Sequence, residues 1–301
     1  MVGLGKMGAG MARRLLAGGH TVFGYDTGEA SRNAFAKLGG TPLASPAEIR
    51  THAAAPRAVW LMVPAGAVVE SVLGSLTAEL EPGDTVIDGG NSNYKDSVRR
   101  AEQLRTQGLH FVDCGVSGGV WGASEGFCLM AGGDEAALQR LEPILQTLAP
   151  APDRGWARVG PSGAGHFVKM IHNGIEYGMM QAYAEGFAIL GKKESFALDL
   201  AQIAEIWRHG SVVRSWLLDL TQGALAQKPD LDGIAPWVAD SGEGRWTVAE
   251  AVDLDVPAPV LTLALIERLA SRENDSFAYK LLAAMRNQFG GHAVHTTDDA
   301  K

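Results

Sequence analysis

The sequence predicts two domains of different class: a doubly wound α/β domain with a parallel sheet over residues 1–160, followed by an all-α domain over residues 161–301. Three observations support this prediction. Short apolar runs alternate with helical patterns in the first half, these runs are continuous rather than interrupted by polar residues, and strand signals nearly vanish after residue 160. Continuous apolar runs are typical of parallel strands buried on both faces, and strand–helix alternation implies crossover connections.

The first domain is predicted to alternate strands and helices throughout. The predicted strands cover 22–25, 58–63, 85–88, 111–114 and 127–131. The predicted helices cover 7–17, 29–38, 67–80, 95–107 and 135–148. Only Met1 and Val2 precede the first glycine, whereas a strand normally has about five residues. We therefore expect the natural chain to start a few residues upstream, which the intact mass of the native protein would test.

The second domain is predicted to open with a long helix over residues 163–190, after a proline-bounded boundary at 150–161. Further helical patterns cover 197–208, 215–226, 248–254, 260–271 and 275–289. Long apolar stripes on these helices are best buried against a symmetry mate, so we expect a homodimer or a homotetramer.

Composition excludes several classes of protein. Hydrophobic residues make up 46% of the chain and charged residues 20%, which is ordinary for a globular protein. The net charge of −8 argues against a nucleic-acid coat or an anionic-membrane binder. No run approaches the roughly 18 apolar residues of a membrane span, and we identify no secretory signal. Two cysteines, Cys114 and Cys128, cannot form a disulfide scaffold, which favours a reducing, cytoplasmic location.

Glycine is overrepresented, with 38 residues, and the first glycines form a dinucleotide-binding pattern. A G-x-G-x-x-G motif opens the first predicted helix as Gly3-Leu4-Gly5-Lys6-Met7-Gly8. In a Rossmann domain these glycines allow a tight turn, close approach of a pyrophosphate, and close packing of helix on strand. Asp26 ends the next strand, where a carboxylate accepts hydrogen bonds from a ribose 2′-hydroxyl and repels a 2′-phosphate. Since Thr27 follows with no adjacent arginine, we expect NAD rather than NADP; the alternative is that Asp26 is a simple turn residue.

Three later segments, at 88–92, 116–119 and 169–177, combine polar side chains with glycine. The first two follow strands, where ligands of a doubly wound sheet bind. In the third, Lys169, Asn173 and Glu176 share one helix face, with His172 beside them. A solvated face with an ion pair is the alternative, but the neighbours are apolar and Gly174 costs roughly 1 kcal/mol in mid-helix. A desolvated lysine can lose its proton and act as a base, and a nearby glutamate can move a second proton. We recognise no metal-binding motif, so we expect no metal cofactor.

These motifs resemble those of the 6-phosphogluconate dehydrogenase family, within the β-hydroxyacid dehydrogenase superfamily. The resemblance covers nearly the whole chain and is most specific in Lys-x-x-His-Asn-x-x-Glu-Tyr, found here from Lys169 to Tyr177. It implies a short, NAD-linked enzyme that decarboxylates 6-phosphogluconate oxidatively. It also implies cofactor contacts from the glycine motif, Asp26, Val63, Pro64 and Asn91.

The resemblance implies specific roles for the polar residues. Lys169 would be the base that deprotonates the 3-hydroxyl, and Glu176 would protonate C1 of the enediol. Other residues would hold the carboxylate and hydroxyls of the substrate, namely Asn91, Ser117, Gly118, Gly119, His172 and Asn173. The phosphate would contact Tyr177, Ser241 and Arg268, with Arg286 and His292 arriving from a neighbouring subunit.

One segment departs from the family pattern and leaves an alternative open. Ser241 stands where long forms have a lysine, and Glu243 occupies the next phosphate-contact position, where a carboxylate would repel phosphate. A β-hydroxyacid dehydrogenase acting on an unphosphorylated acid, such as 3-hydroxyisobutyrate or gluconate, is therefore the alternative within the class. A non-catalytic dinucleotide sensor is the alternative outside it, although such a protein would not need Lys169 and Glu176.

Overall fold

The computed structural model describes residues 1–295, so the last six residues of the second predicted domain lie outside the described part. Contacts divide the chain into two compact units, Met1–Gly174 and Ile175–Lys301. One long helix begins in the first unit and ends in the second, so the boundary predicted at residue 160 stays a prediction. A parallel-sheet, Rossmann-like first unit and a mostly helical second unit confirm the predicted fold class.

The first unit contains seven strands, of which five were predicted, most of them with somewhat different bounds, and two, at 41–42 and 156–160, were not predicted. The strands are β1 Phe23–Gly24, β2 Thr41–Pro42, β3 Ala58–Leu61, β4 Thr85–Asp88, β5 His110–Ser117, β6 Cys128–Gly133 and β7 Trp156–Gly160. The helices between them are α1 Lys6–Ala17, α2 Glu29–Lys37, α3 Ile49–His52, α4 Ala67–Leu76, α5 Tyr94–Arg105, α6 Gly122–Glu125 and α7 Glu135–Leu148. Short 3₁₀ turns cover Pro46–Glu48 and Gly119–Trp121.

Strands β3 to β7 form one sheet in chain order, and β1 pairs with β2 in parallel. Val2 forms parallel bridges to Tyr25 and to Leu61 and so links the two groups of strands. The backbone of Val2 donates to Trp60 and accepts from Met62, so a single residue occupies the place of the first strand.

The strands are buried on both faces, as their apolar runs predict. In β3, Val59 and Leu61 pack into one hydrophobic cluster while Trp60 packs into the other. Val86 and Ile87 of β4 divide in the same way. In the two clusters, helices pack against opposite faces of the sheet. The carboxyl ends of the strands are therefore where ligands of such a sheet bind.

Two features of the sheet differ from the prediction. β6 runs antiparallel to β5, with Ser117 opposite Cys128. The connection between them is too short for a parallel crossover, which needs about a dozen residues or more. The strand β7 was not predicted, because it is a short, exposed edge strand with Arg158 in its centre, directly before Pro161.

The second unit is helical in its described part. Its helices are α8 Ala164–Lys192, which begins in the first unit, α9 Leu200–Arg208, α10 Trp216–Gln227, α11 Glu243–Asp253, α12 Pro259–Ala270 and α13 Phe277–Gly290. A 3₁₀ turn covers Glu194–Phe196. Side chains at Asp199, Ser215 and Ser276 accept a backbone hydrogen bond at the starts of α9, α10 and α13, which fixes where those helices begin.

Candidate active site

The glycine motif forms a tight turn between Val2 and α1. Gly3 has φ +92°, and a Cβ there would overlap the carbonyl of Met62 and lie 3.1 Å from Val63 Cγ1. A Cβ at Gly8 would overlap the carbonyl of Gly3. Gly5 differs, because a Cβ there would meet no atom within 4 Å. The chain therefore leaves open space beside Gly5, at the N-terminus of α1, and the N-terminus of a helix is a site that fits a dinucleotide pyrophosphate.

Asp26 holds this turn from the end of β1. Its carboxylate accepts hydrogen bonds from the N–H of Leu4 at 2.7 Å and of Gly28 at 2.8 Å. No arginine is adjacent to Asp26 in sequence, but one contacts its backbone in the structure. Arg32 Nη1 donates to the carbonyl of Asp26 at 2.6 Å and to that of Thr27 at 3.1 Å. A guanidinium from the first turn of α2 therefore lies against the backbone of Asp26 and Thr27, where sequence adjacency does not reveal it.

The loop at residues 88–92 follows β4 and adjoins the end of β3. A Cβ at Gly90 would lie 2.9 Å from the carbonyl of Val63, so the two loops are in close contact. Pro64 and Asn91 are both exposed on these loops. The residues assigned to cofactor contact on this side of the domain therefore lie on adjacent strand ends.

A buried network that the sequence analysis missed fixes the 88–92 loop. The Asp88 carboxylate accepts from the N–H of Gly90 at 3.1 Å, from Ser92 Oγ at 2.7 Å and from Arg100 Nη1 at 3.1 Å. Arg100 is 0% exposed, and its Nε also donates to Glu70 of α4 at 3.0 Å. Ser97, Arg100 and Leu104 form the buried face of α5, and that helical spacing could have revealed the network.

The central cluster of the first unit joins β5 to α8. Lys169 Nζ donates to Asn173 Oδ1 at 2.7 Å, and His172 Nδ1 lies 3.0 Å from the same oxygen. His172 Nε2 lies 3.4 Å from Ser117 Oγ. Lys169 is 7% exposed and Asn173 9%. Four residues predicted from two separate motifs therefore form one hydrogen-bonded row, and the lysine end of that row is buried.

The glycines after β5 shape the edge of this cluster. Gly118 has φ +136° and Gly119 has φ +53°, backbone conformations that side chains rarely adopt. Gly119 begins a 3₁₀ turn, and a Cβ there would meet open space. The backbone beside Ser117 is therefore exposed for contact with a ligand.

A second polar cluster lies entirely within the second unit, around Tyr177. The guanidinium carbon of Arg268 lies 3.5 Å from the centre of the Tyr177 ring, and Arg268 Nη1 donates to the carbonyl of Ala239 at 2.8 Å. Tyr177 Oη donates to Asp240 Oδ1 at 3.4 Å. A Cβ at Gly244 would lie 2.7 Å or less from Tyr177 ring carbons, so α11 packs directly on that ring.

The segment that departs from the family pattern is ordered within this cluster. Ser241 Oγ donates to Glu243 Oε2 at 2.5 Å, and Glu243 is 2% exposed. The hydroxyl proton of Ser241 is therefore already engaged in a hydrogen bond within the protein. Burial also separates the carboxylate of Glu243 from solvent. Helix α11 begins at Glu243 rather than at residue 248, because Gly242 caps it with φ +104° and Gly244 fits against the tyrosine ring.

Three predicted site residues remain to be located, namely Glu176, Arg286 and His292. Arg286 is exposed on α13, and His292 is exposed beyond the end of that helix. The His292 carbonyl accepts from Asn287 Nδ2 at 2.9 Å. Glu176 is half-buried on α8, between Asn173 of the first unit and Tyr177 of the second.

Residues 1–295 contain no group of His, Cys, Asp or Glu side chains able to hold a metal ion. In the same part of the chain, no helix is both long and apolar enough to cross a membrane.

Family models match most of the chain in two consecutive parts. Residues 1–158 match the model described as the NAD binding domain of 6-phosphogluconate dehydrogenase. Residues 165–278 match the model described as the 6-phosphogluconate dehydrogenase C-terminal domain.

Curated relatives carry names that agree with these models. A Haloferax volcanii protein named 6-phosphogluconate dehydrogenase, NAD(+)-dependent, decarboxylating, is 42% identical over 300 residues, which cover 99% of each chain. A Bacillus subtilis protein of the same name is 37% identical over 284 residues, covering 90% of this chain and 60% of its own length. The chain therefore matches one relative along its whole length and spans only part of a longer one.

Solved structures show the same fold. The 6-phosphogluconate dehydrogenase of Plasmodium falciparum superposes with a TM-score of 0.83 at 28% identity, covering 98% of this chain and 66% of that chain. A 3-hydroxyisobutyrate dehydrogenase from Salmonella typhimurium superposes with a TM-score of 0.75 at 27% identity, covering 91% and 93% of the two chains.

Proposed function

Because the chain belongs to the 6-phosphogluconate dehydrogenase family, we propose that it converts 6-phospho-D-gluconate to D-ribulose 5-phosphate and CO2, with hydride transfer to NAD. The observation that carries the proposal is the buried row of Lys169, Asn173, His172 and Ser117, in the register of the family motif. The name of the full-length Haloferax relative supports both NAD and decarboxylation.

The first unit holds the dinucleotide. The pyrophosphate would lie at Gly5 and the N-terminus of α1, where a Cβ on Gly5 would meet no atom within 4 Å. Asp26 would accept hydrogen bonds from the adenosine ribose while it keeps the N–H of Leu4 in place. Val63, Pro64 and Asn91 would line the cofactor at the neighbouring strand ends. When bound, NAD supplies the acceptor for the hydride that leaves C3.

Lys169 takes the proton from the 3-hydroxyl of the substrate as the hydride leaves C3. The product of this step is a β-keto acid, whose C1–C2 bond breaks readily because the ketone oxygen accepts the electron pair. The ammonium of Lys169 then stabilises the enolate oxygen, and Asn173 Oδ1 holds that ammonium in place. Glu176 delivers the proton to C1 of the enediol after CO2 departs.

Polar side chains orient the sugar acid in this scheme. His172, Ser117 and Asn173, which form one row of hydrogen bonds, bind substrate oxygens. Backbone N–H groups at Gly118 and Gly119, together with Asn91, bind the carboxylate and hydroxyls. The positive φ angles of the two glycines support this role, because they turn the backbone outward beside Ser117.

The terminal phosphate is assigned to the arginines rather than to the loop at residues 240–243. Arg268 is fixed on Tyr177, and a guanidinium donates in a geometry that suits phosphate oxygens. Ser241 would donate its hydroxyl proton to the phosphate only after release from Glu243. Arg286 and His292 would complete the phosphate site from a neighbouring subunit.

An unphosphorylated acid is the second candidate substrate, and the carboxylate of Glu243 favours it. Measuring kcat/KM with NAD for 6-phosphogluconate, gluconate and 3-hydroxyisobutyrate separates the two candidates. We expect 6-phosphogluconate to exceed the other two acids by at least about 100-fold, since guanidinium–phosphate hydrogen bonds are each worth about 1.5–3 kcal/mol. Equal or better turnover of an unphosphorylated acid would reject the leading proposal.

Exposed apolar side chains and free cysteines bear on the oligomeric state and the cellular location. Helices α12 and α13 expose large apolar side chains, which include Val260, Leu263, Phe277, Leu282 and Met285. We propose that a homodimer or homotetramer buries them. Both cysteines are free thiols, which supports a cytoplasmic location.

A further inference from the structure

The first turn of α8 lies directly against the backbones of β5 and β6. A Cβ at Gly132 of β6 would lie 2.6 Å from the N atom of Gly165. A Cβ at Gly165 would lie 2.8 Å from the N atom of Gly132 and would overlap the carbonyls of Asp113 and Met130. Any side chain at either position would push the helix away from the strands. The distance between helix and sheet is therefore set by backbone contact.

Asp113 fixes the same turn by hydrogen bonds. Its Oδ1 accepts from the N–H of Gly163 at 2.6 Å, and its Oδ2 accepts from the N–H of His166 at 2.8 Å. The side chain is 0% exposed. Burial raises the pKa of this carboxyl group, and His166 with the two N–H groups opposes the rise without cancelling it. A buried carboxylate here satisfies the N–H groups that the start of a helix leaves without partners.

The opposite side of the turn is braced by α5. His166 Nδ1 lies 2.7 Å from Ser97 Oγ, and both side chains are buried. Asp113 and Ser97 thus both hold the turn of α8 that precedes Lys169, Asp113 from β5 and Ser97 from α5. The helix can neither rotate nor slide there without breaking a buried hydrogen bond.

Gly115 of β5 then determines the path of the lysine side chain. A Cβ at Gly115 would overlap Lys169 Cβ, and would lie 3.0 Å from Lys169 Cγ and 2.9 Å from the carbonyl of Gly165. The stem of Lys169 thus fills the space that a side chain at position 115 would need. The Lys169 side chain can follow this path, with its Nζ 2.7 Å from Asn173 Oδ1, only while position 115 carries no side chain.

We propose that Asp113 and Gly115 are positioning residues for Lys169: Asp113 fixes the turn of α8 that precedes the lysine, and Gly115 leaves the channel in which its side chain extends. This inference rests on the proposed function, because it assigns the placement of the proposed base. Replacing a residue that only stabilises the fold would lower the melting temperature, but it would leave the pH dependence of kcat unchanged.

The test compares two glycine variants, Gly115→Ala and Gly18→Ala, with wild type. Gly18 is a matched control, because a Cβ there would overlap Thr147 in the same unit, at the end of α1 and far along the chain from Lys169. For Gly115→Ala we expect kcat to fall about 100-fold, as displacement of a reacting group by about 1 Å costs that much. The Kd for NAD should stay within about 3-fold of wild type, and the pH profile of kcat should shift. Gly18→Ala should retain the wild-type kcat and the wild-type pH profile of kcat.

A second variant covers the case in which Gly115→Ala fails to fold. Asp113→Asn retains the shape and one acceptor oxygen but replaces the other oxygen by an amide donor. We expect kcat to fall about 10-fold with a shifted pH profile, while circular dichroism and NAD binding match wild type. Wild-type kcat and an unchanged profile in a folded variant would overturn the inference, and so would failure of both variants to fold.

The wild-type control separates this inference from the proposed function. If wild type does not turn over 6-phosphogluconate, the proposed substrate is wrong, and the same variants are then compared on the acid that wild type does oxidise. Loss of kcat with a shifted profile on that acid would still support the positioning of Lys169.

Discussion

Lys169 carries most of the proposed chemistry, and its surroundings explain why this lysine differs from one on a surface. It is buried, its Nζ donates to Asn173, and its stem passes over Gly115. The sequence placed Lys169, His172 and Asn173 on one helix and Ser117 on a different motif. Helical spacing predicted the grouping within α8, and the contact with Ser117 required the family resemblance, because nothing local to either segment specifies it.

Replacing Lys169 by methionine should abolish turnover without loss of the cofactor site. We expect kcat to fall by about 10³, within the range that general acid–base catalysis contributes. The Kd for NAD, measured by fluorescence titration, should stay close to wild type. Lys192→Met, at the exposed end of the same helix, is the control and should keep its activity. Near-normal turnover of Lys169→Met would remove this residue from the mechanism.

Asp26 and Arg32 give the cofactor site a charge arrangement that local sequence did not reveal. The arginine is held against the backbone carbonyls of Asp26 and Thr27, and we expect the carboxylate of Asp26 to disfavour a 2′-phosphate. The motif predicted Asp26 correctly as an acidic residue at the strand end. It could not predict Arg32, because the turn that brings the guanidinium back depends on where α2 begins.

The variant Asp26→Ser should therefore shift cofactor use toward NADP. Removing the carboxylate lowers kcat/KM with NAD, and the guanidinium of Arg32 becomes available to a 2′-phosphate. We expect the NAD to NADP ratio of kcat/KM to fall about 10- to 100-fold, as one or two charge-assisted hydrogen bonds would give. The double variant Asp26→Ser/Arg32→Ala should lose the gain with NADP. An unchanged ratio in the single variant would show that Asp26 does not select the cofactor.

At the scale of elements, buried carboxylates tie loops to strands. Asp84, just before β4, accepts from the N–H of Arg57 at 2.6 Å, from Arg57 Nη1 at 2.9 Å and from the N–H of Glu81 at 2.9 Å. Burial would raise the pKa of Asp84, but these hydrogen bonds and the guanidinium outweigh it and lower the pKa. The ionised form is therefore the one that stabilises the fold.

Asp84→Asn should lower the free energy of unfolding by about 3 kcal/mol at neutral pH, because it leaves the buried guanidinium of Arg57 without its charge partner. The folded-state pKa is lowered, so the wild-type advantage is present above the usual aspartate pKa of about 3.9 and is lost as pH falls through the folded-state pKa. Urea unfolding at neutral and acidic pH measures this difference. Asp153→Asn, in an exposed ion pair with Arg154, is the control. A difference between wild type and Asp84→Asn that does not shrink in acid would contradict this assignment.

The bounds of some helices and strands can be predicted from local sequence patterns alone, and those of others cannot. Helix α7 matches its prediction at both ends, since its apolar face is regular and its start and stop signals are local. The edge strand β7 and the start of α11 depend on tertiary contacts instead. Trp156–Gly160 pairs with β6, and Gly244 packs on Tyr177, a residue distant in sequence. The antiparallel return of β6 could have been inferred from the short connection that follows Ser117.

At the scale of the whole molecule, exposed apolar helix faces point to assembly. Light scattering should give a mass of two or four chains in solution. Leu282→Asp, on the exposed face of α13, should shift the protein toward single chains and reduce activity, since Arg286 and His292 of that segment would serve a neighbouring subunit. Gln288→Asp adds the same charge at an exposed polar position and should leave the mass unchanged. A monomeric wild type with full activity would contradict the shared site.

The proposed phosphate site is the part of the molecule whose contacts the sequence predicted least well. The resemblance named Ser241 as a phosphate ligand, whereas its hydroxyl donates to the buried Glu243. A two-residue spacing in a glycine-rich loop does not predict such a bond, because it depends on how α11 begins. The arginine stacked on Tyr177 was identified from the motif, although its contact with the ring was not.

The coupling of oxidation to loss of CO2 distinguishes the proposed reaction from simple oxidation of a hydroxy acid. The most direct test is to measure CO2 release and reduced cofactor together from 6-phosphogluconate, with NAD and NADP in parallel. We expect one CO2 for each NADH formed, a clear preference for NAD, and neither product from Lys169→Met. Formation of NADH without CO2, or no reaction of the wild-type protein with 6-phosphogluconate, would contradict the proposed function.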